Sequence, residues 1–284
     1  NIVFIFADDQ APNTIGVYGA SHMKTPNLDR FAEEGVLFNR AYNPGSFAAA
    51  VCVASRAMLN TGAFVWNAAA FYGAGTFKPG GKNAPMVGES YAIKKKKPEA
   101  YWSQYMKRAG YETYFTGKWH VRAKADQVFD HAVHVRAGMP AQNKKRYKRK
   151  FIEGESDWSP YDKKMGGFWR GGKHWSEVLA DDSITFIEQA KESDKPFFMY
   201  LAFNAPHDPR QAPKEYVDMY PLEGIKVPKN FLPEYPYNEY AGAGRTLRDE
   251  TLAPFPRTEY AVKKNLQEYY AAVSYMDTQI GRIL

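Results

Sequence analysis

The sequence predicts an α/β protein in which a mostly parallel β-sheet is sandwiched between helices. Three apolar runs rich in aromatic and β-branched residues, at 1–7, 111–116 and 197–203, are typical of strands buried on both faces. Segments with helical spacing of apolar residues lie between and after these runs, at 98–109, 175–191 and 258–284. Because strands that alternate with helices favour a parallel sheet covered on both sides, these runs predict the fold class.

Other segments carry weaker patterns. Residues 25–35 predict a helix with Thr25 as its N-cap, and 36–42 predict a strand that follows it. Residues 66–98 are rich in glycine, alanine and proline and end in four lysines, which predicts a surface excursion. Residues 121–173 mix basic, aromatic and glycine residues, so we expect an insertion that recognises substrate.

Composition narrows the class of protein. A chain of 284 residues with 44% hydrophobic content has room for one large domain or two small ones, and we expect a single domain over 1–284. No apolar run approaches the roughly 18 residues that a membrane span needs. The net charge of +7 suits an acidic partner, either a sulfated glycan or nucleic acid. The sequence contains no zinc-finger spacing or RNA-recognition signature, which argues against nucleic acid.

Polar residues follow each of the three predicted strands within a few positions along the chain. Asp8 and Asp9 follow the first, Lys118 and His120 the second, and His207 the third. Ligands of open α/β sheets bind beyond the carboxyl ends of the strands, so these residues are candidates for one site. The carboxylate pair is either a solvated turn or a set of hard oxygen ligands for Ca²⁺ or Mg²⁺. Taken singly, each histidine is as well explained by a structural role.

The single cysteine, Cys52, begins a short helical segment. A helix N-terminus favours anionic chemistry because its backbone N–H groups are unpaired and its dipole is positive there. Arg56 lies one helical turn on, and we expect its cation beside the sulfur. A lone cysteine is more often a buried structural residue, so position alone leaves both interpretations open.

Four motifs together resemble the type I, formylglycine-dependent sulfatases of the alkaline phosphatase superfamily. They are Phe4-Ile5-Phe6-Ala7-Asp8-Asp9-Gln10, Cys52-Val53-Ala54-Ser55-Arg56 with Leu59 and Thr61-Gly62, Gly117-Lys118-Trp119-His120, and Ala205-Pro206-His207. The second departs from the family pattern at Ala54, where proline is usual. Maturases of the bacterial anaerobic type accept alanine there, whereas the aerobic enzyme prefers proline.

The resemblance implies a nucleophile and a metal. Cys52 would be oxidised to formylglycine by a maturase, and the hydrated aldehyde would attack sulfur. Asp8, Asp9 and the hydrate at position 52 would bind Ca²⁺, or alternatively Mg²⁺.

The resemblance also implies roles for four basic side chains. Arg56 and Lys118 would neutralise the sulfate oxygens, His120 would contact the hydrate, and His207 would lie beside the leaving-group oxygen. The implied activity is hydrolysis of a sulfuric ester, with a sulfated carbohydrate as the expected substrate.

Two other functions stay open at this stage, and the sequence leaves the oligomeric state unknown. One is a phosphonate or phosphodiester hydrolase of the same superfamily, and the other is a non-catalytic glycan-binding relative. The resemblance covers the N-terminal part of a family catalytic domain, and further metal ligands and a lysine are expected after Leu284. A bacterial source and a periplasmic or secreted location, with the signal peptide removed, are expected as well.

Overall fold

The computed structural model describes two compact units of the chain. It describes residues 1–47, 51–73, 101–121, 123–136, 138, 149–155, 158–164, 166–169, 172–238, 240, 245 and 249–284. The first unit comprises Asn1–Asp8, Leu37–Gly138 and Leu179–Asn204, and the second comprises Asp9–Val36, Met139–Val178 and Ala205–Leu284. That the whole chain is one domain stays a prediction.

The described residues form four strands and seven α-helices. The strands are β1 (Ile2–Asp8), β2 (Glu112–Lys118), β3 (His131–Arg136) and β4 (Phe197–Pro206). The helices are α1 (Pro26–Glu33), α2 (Val51–Thr61), α3 (Val65–Gly73), α4 (Trp102–Arg108), α5 (Trp175–Lys191), α6 (Lys214–Asp218) and α7 (Glu259–Ile283). No helix in these ranges is both long enough and apolar enough to cross a bilayer.

The first unit is built on a four-stranded sheet of order β1-β4-β2-β3. Strand β2 runs parallel to both of its neighbours, β3 and β4. Helix α4 covers one face, where Trp102 meets the rings of Phe198 and Tyr200 at 4.9 and 5.2 Å between centroids. On the other face the Phe186 ring of α5 lies 5.1 Å from that of Tyr114. The predicted helix-covered parallel sheet is therefore confirmed.

Gly117 lets β2 and β4 approach each other near the end of the sheet. Its φ is +101°, and a Cβ added there would lie 2.1 Å from the carbonyl oxygen of Ala202. We therefore expect Gly117→Ala to lower the free energy of unfolding by about 2–5 kcal/mol, since backbone strain and overpacking add. Urea titration of the chain measures the change.

Gly110 provides the matched control, because its φ is +90° but no atom lies within 4 Å of an added Cβ. Gly110→Ala should lower the free energy of unfolding by about 1–2 kcal/mol, because of its positive φ alone. Equal losses in the two variants would contradict the close approach of the two strands.

Two local predictions were wrong, and most of a third lies outside the described residues. Residues 36–42 form no strand, and Val36, Phe38 and Tyr42 are 81%, 72% and 86% exposed, because a β-prone run makes a strand only where a partner is available. Strand β1 lies at the edge of the described sheet, so its first residues are exposed rather than buried on both faces. The start of the predicted surface excursion is helix α3, and residues 74–98, with the four lysines, lie outside the described residues.

The second unit is helical. Helix α1 is anchored by Asp277 of α7, whose carboxylate accepts hydrogen bonds from the backbone N–H groups of Asn27 and Leu28 at 3.2 and 2.8 Å. Thr25, the predicted N-cap, makes no capping hydrogen bond, and its hydroxyl accepts from the N–H of Gly16 at 2.8 Å. The Asp277 carboxylate therefore pairs with backbone N–H groups in the first turn of α1, which Thr25 was expected to cap.

A buried ion pair joins the 121–173 segment to α7. Arg149 donates two hydrogen bonds to Glu268, at 2.8 and 2.7 Å, and its guanidinium lies 5.3 Å from the Trp158 ring. Arg149 and Trp158 lie in the segment expected to recognise substrate, and both are buried. A role of this segment in substrate recognition stays a prediction. Residues 139–148, most of the basic run, lie outside the described part.

Candidate active site

Cys52 is the second residue of helix α2. The helix forms because its buried face, which includes Val53, Ala54 and Ala57, packs into an apolar cluster with Val65 of α3. Cys52 itself is half-buried, and its Sγ lies 3.4 Å from Nδ1 of His120. The sulfur therefore stands at a helix N-terminus, as the sequence predicts, beside a ring that can take or give a proton.

Asp8, Arg56 and Lys118 form a buried charge cluster in the same unit. Lys118 Nζ donates to Asp8 Oδ2, and Arg56 Nη2 lies 3.5 Å from Asp8 Oδ1. The Arg56 and Lys118 side chains are fully buried, and that of Asp8 is 5% exposed. Burying charges is costly unless they are paired, so the carboxylate at the end of β1 is essential to both cations.

Among the described residues, the two cations of the cluster, Arg56 and Lys118, pair with the same carboxylate, that of Asp8. Arg56 Nη1 donates to the Lys118 carbonyl and, at 3.3 Å, to the hydroxyl of Tyr200. Its Nε and Nη2 are buried and have no hydrogen-bond partner among the described residues. Burial raises the pKa of Tyr200 to about 12, so its phenol stays neutral and adds no negative charge. A cluster of cationic hydrogen-bond donors is suited to holding an oxyanion.

The guanidinium of Arg56 is directed to the Asp8 carboxylate. Its expected position beside the sulfur stays a prediction, and within the described residues no hydrogen bond joins Arg56 to Cys52. Its long side chain extends instead to Asp8 and stacks 5.1 Å from the Phe6 ring centroid. The charge cluster and the Cys52–His120 pair share two elements. Arg56 and Cys52 both lie in α2, and Lys118 ends β2 two residues before His120.

His120 is positioned by the residue before it. Trp119 is 2% exposed, packs on the Phe115 ring at 5.0 Å between centroids, and its backbone N–H donates to the Arg136 carbonyl. His120 follows with a φ of 50°, a left-handed conformation that turns the chain just beyond the strand. The buried tryptophan and the turn together bring the imidazole to Cys52.

Asp9 and His207 belong to the second unit. Asp9 is exposed, has a φ of 66°, and its carbonyl accepts a hydrogen bond from the Tyr269 hydroxyl at 2.6 Å. His207 Nδ1 lies 2.6 Å from Oδ1 of the buried Asp208. That pairing orients the imidazole ring through Nδ1.

Family comparison identifies the chain. A family model described as Sulfatase matches residues 1–284, which is the entire sequence. The chain belongs to the sulfatase family. The membership of the sulfatase family that the four motifs predict is therefore confirmed.

The relatives of this sulfatase are distant. It is 28% identical over 311 residues to a sulfatase of Formosa agariphila, covering 100% of this chain and 54% of that protein. It is 26% identical over 323 residues to mouse iduronate 2-sulfatase, covering 100% of this chain and 50% of that protein. The chain thus spans about half the length of the curated relatives it matches.

A solved structure shares the fold. The phosphonate monoester hydrolase from Silicibacter pomeroyi superposes on this sulfatase with a TM-score of 0.65 at 18% identity, covering 100% of this chain and 58% of the other. Such a likeness shows the common α/β architecture.

Asp8 and Asp9 are the candidate metal ligands of the chain. Asp8 and Asp9 are adjacent carboxylates, the ligand type that Ca²⁺ and Mg²⁺ prefer, so the donors fit a hard cation in kind. Within the described ranges, no group of three or more His, Cys, Asp or Glu side chains is arranged to hold a metal ion. Ca²⁺ takes six to eight oxygens, so these two residues would be only part of a shell.

Sequence reasoning missed two residues that support the site. Tyr200 lies in an apolar strand and its pattern predicts only core, yet its hydroxyl is held by Arg56. Asp208 orients the imidazole ring of His207, which it directly follows. The available signal in the sequence was an acidic residue next to the histidine, with a proline on each side of the pair.

Proposed function

We propose that this sulfatase hydrolyses a sulfuric ester of a carbohydrate, with a formylglycine made from Cys52 as the nucleophile. The observation that carries the proposal is the buried cluster of Asp8, Arg56 and Lys118. Arg56 lies in the same helix as Cys52, and Lys118 lies two residues before His120, which contacts the sulfur. The iduronate 2-sulfatase relative supports a carbohydrate substrate.

The basic residues of the first unit would act on the sulfate and the nucleophile. Formylglycine supplies, as its hydrate, a hydroxyl that attacks sulfur and an aldehyde that re-forms. Arg56 and Lys118 would bind the sulfate oxygens and stabilise the charge that builds in the transition state. His120, 3.4 Å from the position-52 side chain, would take the proton from the hydrate.

His207 would donate a proton to the departing alcohol. Its Nδ1 is held by Asp208 at 2.6 Å, so Nε2 is the nitrogen that would transfer the proton. Asp8 and Asp9 would hold Ca²⁺ or Mg²⁺, which would supply Lewis-acid stabilisation of the sulfate oxygens.

Maturation at Cys52 is a precondition of this chemistry. Ala54 is fully buried against the α2–α3 cluster, where a small side chain fits. We propose conversion by a maturase that accepts alanine at this position. A bacterial source and a periplasmic or secreted location stay predictions.

Two measurements test the proposed function. Co-expression of the natural protein with an anaerobic-type maturase should give a position-52 peptide with the mass of formylglycine, and hydrolysis of an aryl sulfate. The aryl sulfate should be turned over faster than an aryl phosphodiester. Faster phosphodiester hydrolysis would favour the related hydrolase class, and full activity with an unmodified thiol would contradict the mechanism.

A further inference from the structure

The pairing of β2 with β3 contains one extra residue. Thr116 pairs with Val133, but the next residue of β2, Gly117, pairs with Val135, so the pairing skips His134. The φ of His134 is +42°, a left-handed conformation that is uncommon for a residue with a side chain. This pattern is a β-bulge, which is rare in parallel pairs and is often found next to active sites, where it re-aims side chains.

The Asp182 carboxylate of α5 holds the bulge in place. Nδ1 of His134 lies 2.9 Å from Asp182 Oδ2, and the Thr116 hydroxyl donates to the same oxygen at 2.6 Å. The Asp182 side chain is 12% exposed, and Thr116 is fully buried. One carboxylate therefore ties the extra residue of β3 to the last residue of β2 that is paired before it. A left-handed residue of this kind persists where the surrounding structure holds it.

The bulge determines where the end of β3 lies. It places Arg136 opposite Lys118, and the Arg136 carbonyl accepts a hydrogen bond from the Trp119 N–H at 2.7 Å. Without the extra residue the strand would be shifted by one position, about 3.3 Å along its axis. The residues that follow β3 are therefore placed relative to the turn that carries His120.

Gly138, two residues after β3, lies against the His120 ring. A Cβ added to Gly138 would lie 3.2 Å from both Cδ2 and Nε2 of the imidazole. The Cys52 sulfur is 3.4 Å from Nδ1, the ring atom opposite the Cδ2–Nε2 bond. The ring thus has the sulfur at one side and the backbone of residue 138 at the other, and all three residues belong to the first unit.

We propose that the bulge at His134, held by Asp182, positions the His120 imidazole against the side chain of residue 52. His134, Asp182 and Gly138 are positioning residues, which act through the imidazole by fixing the strand end that supports it. The inference deepens the proposed function, on which it rests for the role of His120 as a base.

Alkylation of the thiol tests the proposal without any turnover. Cys52 is the single cysteine of the sequence, so in protein made without a maturase the rate of reaction with iodoacetamide at pH 7 reports on this position alone. We expect His120→Ala to slow alkylation about tenfold, because the ring can take the thiol proton. Asp182→Asn should slow it about three- to tenfold, since a small misplacement of a reacting group is costly. Mass spectrometry of the intact protein follows the reaction.

The effect of Asp182→Asn should depend on the His120 side chain. In the His120→Ala background, Asp182→Asn should change the alkylation rate less than about twofold, whereas a role in stability alone would act equally in both backgrounds. If Asp182→Asn fails to fold, Gly138→Ala takes its place. Its added Cβ displaces the ring by a few tenths of an ångström and should slow alkylation about threefold, again only when His120 is present.

Two variants provide matched controls. Gly224→Ala is the control for Gly138→Ala, because a Cβ added at Gly224 meets no atom of the described residues within 4 Å. Asp218→Asn is the control for Asp182→Asn, because it removes a carboxylate from an exposed ion pair with Lys214. Both should leave the alkylation rate within about twofold of the parent, as is usual for surface changes.

An unchanged rate in His120→Ala, unchanged rates in the Asp182 and Gly138 variants, or equal effects with and without the His120 side chain would each overturn the proposal. Because the readout is thiol reactivity, absence of sulfatase activity in the matured protein would contradict the proposed function and leave this result standing.

Discussion

Cys52→Ala should lower kcat on an aryl sulfate by about 10⁴-fold or more, because alanine cannot be converted to the aldehyde that serves as nucleophile. The fold should change little. Cys52 is half-buried and its Sγ makes one described contact, with His120, so we expect a loss of unfolding free energy below about 1 kcal/mol. Initial rates and urea titration on the natural protein measure the two quantities separately.

Val51→Ala gives the matched control, because Val51 precedes Cys52 in α2 and is 52% exposed. It alters the same helix start without removing the sulfur, so its kcat should stay within about threefold of the parent. If Cys52→Ala kept more than about a tenth of the parent rate, a nucleophile at position 52 would be ruled out.

Elements with long, one-sided patterns were predictable from the sequence. Helix α5 has the bounds expected from its apolar spacing, and α7 begins at Glu259 after a Thr258 side chain that accepts from the Ala261 N–H at 3.1 Å. Strand β3 was missed because His131–Arg136 lacks a regular alternation of apolar and polar residues, and it is a strand through its pairing with β2. Pairing between segments far apart in the chain is absent from any local pattern.

The site was predictable as a set of residues but not as a set of contacts. The motifs identified Asp8, Arg56 and Lys118, each at the end or on the face of an element. Their grouping around one carboxylate depends on how far the arginine side chain extends across the unit, which helical position does not fix. The same holds for Tyr200, whose hydroxyl partner could only be found in three dimensions.

Asp8→Asn should lower the free energy of unfolding by about 3–5 kcal/mol, because it removes the carboxylate that pairs with the buried side chains of Arg56 and Lys118. Urea titration in the presence of a chelator measures this loss apart from any bound metal. Asp218→Asn is the control, since its ion pair with Lys214 is more than half exposed and should cost no more than about 0.5 kcal/mol. A loss below about 1 kcal/mol for Asp8→Asn in chelator would contradict a charge cluster that depends on this carboxylate.

Adding Lys118→Met to Asp8→Asn should restore part of the lost stability, because one of the two uncompensated buried cations is then removed. Lys118→Met alone should destabilise, since it leaves Asp8 with the more distant Arg56 at 3.5 Å. The two changes should therefore be non-additive by about 1–3 kcal/mol, which a double-mutant cycle measures directly. Strict additivity would show that the carboxylate and the ammonium do not depend on each other, and that Asp8 serves the fold through a different partner.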